Sequence, residues 1–350
     1  MIAKKIGLVL SGLILSFTCV AAQVNKIVIF GDSLSDNGNL YHYLGHIIPK
    51  SPPYYKGRFS NGPVWIEQLS QLYFPDKQSN HLEDYAVGGA GAVLSYKENL
   101  PFTLTAEVTD YLYSNHYKNK NKNLFIIWIG ANNYLNGPTN VDAITTDVVK
   151  SIESNIKTLI NHGASTFMVA NLPDLGKTPA AIQDHHESLL SQLTVTHNTK
   201  LATMYERLKE QYPNVTFAYF DVNTLFDQLE NQAQQYNISN TDSACYEGGF
   251  FSKSLESQEQ MQRLLTQEAQ RSEIDLSPAL QQAILSNPML RDGLSVKEEN
   301  ADTSNVTINS KNCDAYMFWD HVHPTTLVHG LLAQHAKTVL ETAGISFIQN

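Results

Sequence analysis

Five short runs rich in β-branched and aromatic residues, Lys26–Phe30, Asp84–Val87, Leu124–Ile129, Thr166–Asn171 and Thr216–Val222, alternate along the chain with longer stretches of helical period. The runs are apolar nearly throughout rather than at every second residue, so both faces of each strand have to be covered. Strands separated by helices return in the same direction, and the pattern therefore predicts a mostly parallel sheet between two helical layers. The clearest helix is predicted over Val141–His162. There Val141, Ile144, Val148, Ile152, Ile156, Leu159 and Ile160 recur at three- and four-residue spacings, with Asn140 placed to cap the start and Gly163 to end it. Further helices are predicted over Pro63–Tyr73, Gln183–Gln211, Val222–Tyr236 and Pro324–Ala343.

A chain of 350 residues is long enough for two domains or for one α/β domain with an insertion. The segment Gly248–Asn312 breaks the strand–helix rhythm and is rich in Gln, Glu, Ser and Asn. It is predicted to hold helices over Ser254–Ile274 and Pro278–Leu285, the second with Ser277 as cap and Pro278 in its first turn. It reads as an insertion looped off one main domain. The formal charge of −10, from 34 acidic residues against 24 Lys plus Arg, lacks any long basic block and argues against electrostatic recognition of nucleic acid or of an anionic bilayer.

Residues 1–22 carry Lys4-Lys5, an apolar run from Ile6 to Val20 and the small-residue pattern Val20-Ala21-Ala22 before Gln23. This is the pattern of a signal peptide, and export of a soluble domain over residues 23–350 is expected, with no stable membrane anchor. Of three cysteines Cys19 leaves with the signal, and in an exported chain the remaining pair, Cys245 and Cys313, points to one disulfide, the alternative being two buried thiols. Closing a loop of that length would stabilise the fold by ~4 kcal/mol in the chain-entropy description.

The first strand ends in Gly31-Asp32-Ser33-Leu34-Ser35. A serine just beyond the carboxyl end of a buried strand lies where α/β sheets place their ligands, and a nucleophile belongs there; an ordinary Gly-Asp-Ser turn is the competing reading. Near the other end of the chain, Asp320-His321-Val322-His323-Pro324 precedes an apolar helix. An acid and a histidine three residues apart can meet within one turn, so that the carboxylate holds Nδ1–H while Nε2 faces outward as a base toward Ser33. A metal pair of His321 and His323 is the rival, with no third ligand evident nearby. Two glycine-rich pieces also follow strands, Tyr85-Ala86-Val87-Gly88-Gly89-Ala90-Gly91 and Trp128-Ile129-Gly130-Ala131-Asn132-Asn133. Both can present backbone N–H groups or a side-chain amide to an anionic oxygen, and neither matches a nucleotide-binding pattern.

Taken together, IVIFGDSLSDNGN, YAVGGAGA, IWIGANN and WDHVHP resemble the four blocks of the GDSL (SGNH) hydrolase family in order and spacing. The segment Gly57–Trp65, GRFSNGPVW, is similar to the secreted bacterial lipolytic branch, which includes thermolabile haemolysins, lysophospholipases and glycerophospholipid:cholesterol acyltransferases. The resemblance implies a flavodoxin-like three-layer α/β/α fold with Ser33 as nucleophile, His323 as base and Asp320 as its orienting acid. It also implies an oxyanion hole of the Ser33 and Gly89 N–H groups and the Asn132 amide. Two positions depart from the common pattern: Asn133, where an Asp often stands, and Asp84, where an Asn often stands. The implied chemistry is cofactor-free and metal-free cleavage of acyl esters of (lyso)phospholipids through an acyl-Ser33 intermediate, with a sterol as a second acceptor. A carbohydrate O-acetyl esterase and a secreted binding module without turnover are the competing readings. The segment of about 245–313 is expected to act as a lid, opened by an extracellular protease.

Overall fold

The computed structural model describes residues 22–76, 78–94, 102–135, 137–251, 257–295 and 313–348. Residues 1–21, which hold nearly all of the expected signal peptide, lie outside them. At the centre is a five-stranded parallel sheet of β2 (Lys26–Gly31), β3 (Leu82–Asp84), β4 (Asn123–Trp128), β5 (Thr166–Ala170) and β6 (Thr216–Phe220), in the order β3-β2-β4-β5-β6. With β1 (Ala22–Val24) outside the sheet, this is the flavodoxin-like order, in which the chain reverses its direction of sheet growth between β2 and β4. A ligand site is expected at the carboxyl ends of those two strands. The cores of β2, β4 and β5 are buried, as their unbroken apolar composition requires, while the short edge strand β3 is half-buried.

Two helical layers cover the sheet. Helix Thr326–Thr342 packs on Trp65–Tyr73 and touches Val222–Asn231; Val141–Asn161 packs on Glu187–Gln211 and Leu104–Ser114. The capped helix at Val141 starts as predicted, the Asn140 side chain accepting from Ala143 N–H at 3.1 Å. Two short parallel pairs complete the fold: β1 with β9 (Ile345–Phe347), and β7 (Asn240–Ala244) with β8 (Tyr316–Phe318). The second pair joins the two ends of the insertion, and beside it Cys245 and Cys313, 68 positions apart, form a disulfide.

Several expected elements differ in detail. The strand expected at Asp84–Val87 lies at Leu82–Asp84: Tyr85 and Val87 N–H still donate to the Ile29 and Gly31 carbonyls of β2, but Gly31 N–H is spent on Glu107 instead of returning to this strand, and the Asn39 side-chain amide holds the Asp84 and Ala86 carbonyls. The expected single helix Gln183–Gln211 is two, Pro179–Asp184 and Glu187–Gln211. The break falls at His185, whose φ of 58° is left-handed, and His186 N–H returns to Ala181 O. Val222–Tyr236 likewise divides into Val222–Asn231 and a short 3-10 turn, Ala233–Tyr236. The insertion carries helices Gln258–Arg271, Pro278–Ser286 and a third, Pro288–Ser295, that the pattern did not indicate. It is no polar excursion: Met261, Leu265, Leu276, Ile284, Met289, Leu290 and Leu294 are buried.

Candidate active site

Ser33 emerges where predicted, two residues beyond the last residue of β2. Gly31 owes its identity to close approach rather than to a turn: a Cβ there would lie 2.7 Å from the Trp128 carbonyl of β4. Directly after it the chain tightens around Asp32, whose carbonyl accepts from Ser35 and Asp36 N–H and whose Oδ1 accepts from Leu34 N–H at 3.1 Å. Ser33 is thereby left at the cleft floor, 8% exposed.

The acid and the histidine arrive on the turn between β8 and the last helix. Asp320 Oδ1 accepts the N–H groups of Val322 and His323 at 2.9 and 2.7 Å, which closes the turn and brings the His323 ring over the carboxylate. His323 Nδ1 lies 2.8 Å from Asp320 Oδ2, and Nε2 lies 2.9 Å from Ser33 Oγ. Phe59 and Phe250 flank the imidazole, with centroids 5.1 and 5.7 Å away. Burial alone would push the Asp320 carboxyl up, but the charge and hydrogen bonds of His323 hold it below the usual carboxylate range. A carboxylate kept ionised can fix the imidazole tautomer and balance the charge the ring gains on taking a proton. His321 faces elsewhere, its Nε2 3.3 Å from the Glu247 carbonyl, and its backbone oxygen accepts from Ala180 N–H. The two histidines do not converge, and among the described residues no group of three or more His, Cys, Asp or Glu side chains is placed to hold a metal ion.

The two glycine-rich pieces meet each other, Asn132 and Asn133 of the second bonding Ala90 and Ala92 of the first, and Asn132 brings them to the cleft that Ser33 lines. Gly88 N–H donates to Asp36 Oδ2 at 2.7 Å and Ala90 N–H to the Val87 carbonyl, which turns the chain so that Gly89 takes a φ of 80°. That φ favours glycine, and a Cβ there would meet the movable methyl end of Met289 of the insertion at 2.1 Å. The N–H groups of Ser33 and Gly89 have no acceptor among the described residues. Asn132 spends one amide hydrogen on the Ala90 carbonyl at 2.9 Å, and its side chain lines the same cleft as Ser33. Asn133 clamps the facing loop by accepting from Ala92 N–H and donating to the Val93 carbonyl. Asp84 accepts from Ala86 N–H through Oδ1 and keeps Oδ2 buried without a partner among the described residues, and burial pushes its carboxyl well up.

Above these groups lies a cleft of about 800 Å³, counting its open mouth. Leu34, Leu135, Leu175, Phe226, Met317 and Val322 form apolar walls, and the insertion contributes Met289. Lys177, paired with Asp227 at 2.8 Å and Glu230 at 2.6 Å, marks a polar rim. Such an arrangement can activate a hydroxyl next to an apolar pocket and stabilise an oxyanion beside it.

Sequence reasoning missed what the segment Gly57–Trp65 does. Ser60 Oγ donates to the Pro324 carbonyl, Asn61 Oδ1 accepts from Thr326 N–H, and Trp65 N–H donates to His329 Nδ1. The segment clasps the turn that carries Asp320 and His323. It also missed Glu107, which accepts from Gly31 N–H beneath the serine turn at 2.9 Å and whose carboxyl burial pushes well up.

Residues 27–336 match the family model for the GDSL-like lipase/acylhydrolases. The chain is 34% identical over 320 residues to the phosphatidylcholine-sterol acyltransferase of Aeromonas hydrophila, covering 91% of this chain and 90% of that one. It is 27% identical over 323 residues to the thermolabile hemolysin of Vibrio parahaemolyticus, covering 89% and 63%. Similarity this extensive, with the serine, the histidine and the acid in contact at the sheet's switch point, has one reading: the chain belongs to the GDSL-like lipase/acylhydrolase family.

Proposed function

We propose that the protein is a serine esterase that cleaves acyl esters of (lyso)phospholipids, with Ser33 as nucleophile, His323 as general acid–base and Asp320 as the group that orients it. The observation that carries this reading is the 2.9 Å contact between Ser33 Oγ and His323 Nε2 at the floor of an apolar cleft. In the first step Ser33 Oγ attacks the acyl carbonyl carbon as its proton passes to Nε2. The charge that develops on the carbonyl oxygen is met by the N–H groups of Ser33 and Gly89 and by the amide hydrogen that Asn132 does not spend on Ala90. Collapse of the intermediate breaks the bond to the alcohol, which takes the proton back from His323 and leaves acyl-Ser33. Water then attacks with His323 as base, and a sterol hydroxyl in the same position gives acyl transfer. That second acceptor is favoured by the acyltransferase relative, similar over nearly its whole length.

The walls of the cleft favour a fatty chain over the acetyl group of a carbohydrate ester, which would need only a small open pocket. A panel of p-nitrophenyl esters from acetyl to palmitoyl, run beside fatty-acid release from lysophosphatidylcholine, tests the choice. Rising kcat/KM with chain length supports the reading. Turnover confined to acetyl esters overturns it in favour of the carbohydrate esterase, and no turnover on any ester favours a binding module.

The insertion bounded by Cys245 and Cys313 serves, in this reading, as a roof over the acyl cleft, supported by Met289 in the cleft lining. Control by an extracellular protease would act within about Ser252–Ser310, of which residues 252–256 and 296–310 lie outside the described residues. Export through the N-terminal segment fits the disulfide, which persists in oxidising compartments. No helix among the described residues is long and apolar enough to cross a membrane.

A further inference from the structure

Asp320 is completely buried, and its carboxylate has four donors. Three belong to its own turn: the N–H groups of Val322 and His323 and the His323 ring. The fourth is the hydroxyl of Tyr54, 266 positions earlier in the chain, which donates to Oδ2 at 2.5 Å. Tyr54 is 2% exposed, and the rings of Phe59, Tyr246, Phe250 and Trp319 surround it with centroids between 5.4 and 6.4 Å. Its oxygen also accepts from Phe250 N–H at 3.0 Å. A phenol has one proton, and with Phe250 occupying the acceptor side that proton is directed to Asp320. Burial and the adjacent carboxylate push the Tyr54 hydroxyl well above its ordinary pKa, so it stays a donor.

We propose that Tyr54 is a positioning residue of the Ser33–His323–Asp320 relay, holding the Asp320 carboxylate in register with His323 and moderating its basicity. This rests on reading those three residues as the catalytic triad. Two effects follow from geometry. Without the hydroxyl, Oδ2 is held by His323 alone, and the carboxylate, anchored only through Oδ1 by the two backbone N–H groups, can tilt out of line with the imidazole, which costs turnover rather than substrate binding. A carboxylate that has lost a donor is also a stronger base and holds an imidazolium more tightly, so the Asp320–His323 pair gives up its proton at higher pH. Tyr54 further ties the relay to the root of the insertion, because its oxygen is held by Phe250, five residues past Cys245.

The test is Tyr54→Phe, which keeps the ring and removes the hydroxyl. With active sites titrated by a fluorophosphonate, kcat on a medium-chain p-nitrophenyl ester is expected to fall about 10-fold with KM within about 2-fold. The acid limb of the kcat/KM profile should move toward higher pH by roughly half a unit. Site-specific 3,5-difluorotyrosine at position 54, a stronger donor of nearly the same shape, keeps the packing and should move the limb the other way. In an Asp320→Asn background the loss from Tyr54→Phe should shrink, because the residue acts through Asp320. A lower melting temperature with per-site kcat and both limbs unmoved would make Tyr54 a packing residue and overturn the proposal. If Asp320→Asn itself retains wild-type turnover, it is the triad reading that fails; if Asp320→Asn is impaired while neither Tyr54 variant moves kcat or the limb, only the role of Tyr54 falls.

Discussion

Asp32 sits between the end of β2 and Ser33, with the acids Asp36 and Glu107 buried around the same strand ends and Asp84 half-buried beside them. Burial pushes its carboxyl up to about 7, against smaller lowering by the hydrogen bond from Leu34 N–H and then by His323. An acid with a raised folded-state pKa binds its proton more tightly in the fold. Its contribution is therefore intact below the unfolded value and is lost as pH rises through the folded one, here from about 4 to about 7. Asp32→Asn can keep the Oδ1 bond to Leu34 and removes the charge. It is expected to stabilise the fold by on the order of 1 kcal/mol at about pH 8 and by nothing at about pH 4, checked by urea unfolding at both. The variant should also lose some turnover, since a negative charge near His323 favours the imidazolium. A second residue-scale expectation concerns Asn132→Ala. Losing one oxyanion donor lowers kcat by ~10²-fold with KM little changed, and the lost bond to Ala90 costs about 1 kcal/mol of stability. Steady-state kinetics on titrated sites separate the two. An unchanged kcat with a lower melting temperature would remove Asn132 from the chemistry.

At the scale of elements, helix Pro288–Ser295 carries Met289 onto Gly89 and into the cleft wall, the sulfur side chain being 4% exposed. Met289→Ala opens space where an acyl chain is expected to run, and the optimum of the p-nitrophenyl ester panel should shift to longer chains. If the chain-length profile stays put while stability falls, the helix is only a packing element. Removing the disulfide as Cys245→Ser with Cys313→Ser should lower unfolding free energy by about 2–4 kcal/mol in denaturant titrations. How far these elements were legible varies for physical reasons. The buried strands declare themselves by apolar runs, and Val141–Asn161 by spacing and cap. Leu104–Ser114 escaped because its inward stripe of Leu104, Val108 and Tyr111 is interrupted by Glu107, a charged residue type on the buried face. The break at His185 carries no glycine to mark it, and the partnership of Tyr54 with Asp320 spans too much sequence for any local pattern.

For the whole molecule, topology does the assembling. Ser33 follows β2 and Asn132 follows β4, so the strand order β3-β2-β4 brings them to the switch point, while the β8 turn and the clasp Gly57–Trp65 deliver Asp320 and His323 from the far end of the chain. The motif residues were readable because each sits at an element's end, where residue type reports chemistry more than packing. If residues 1–22 direct export, protein recovered from the medium or periplasm of a bacterial host should begin at Gln23 by intact mass; recovery of full-length chain in the membrane fraction would contradict it. The central claim is an activated serine, and it is tested most directly by a fluorophosphonate, which phosphonylates only a serine whose base is in place. Wild-type protein should take up one label per chain on the peptide containing Ser33, and His323→Ala should take up almost none. Esterase turnover that persists with Ser33 unlabelled, or a label on another serine, would contradict the account.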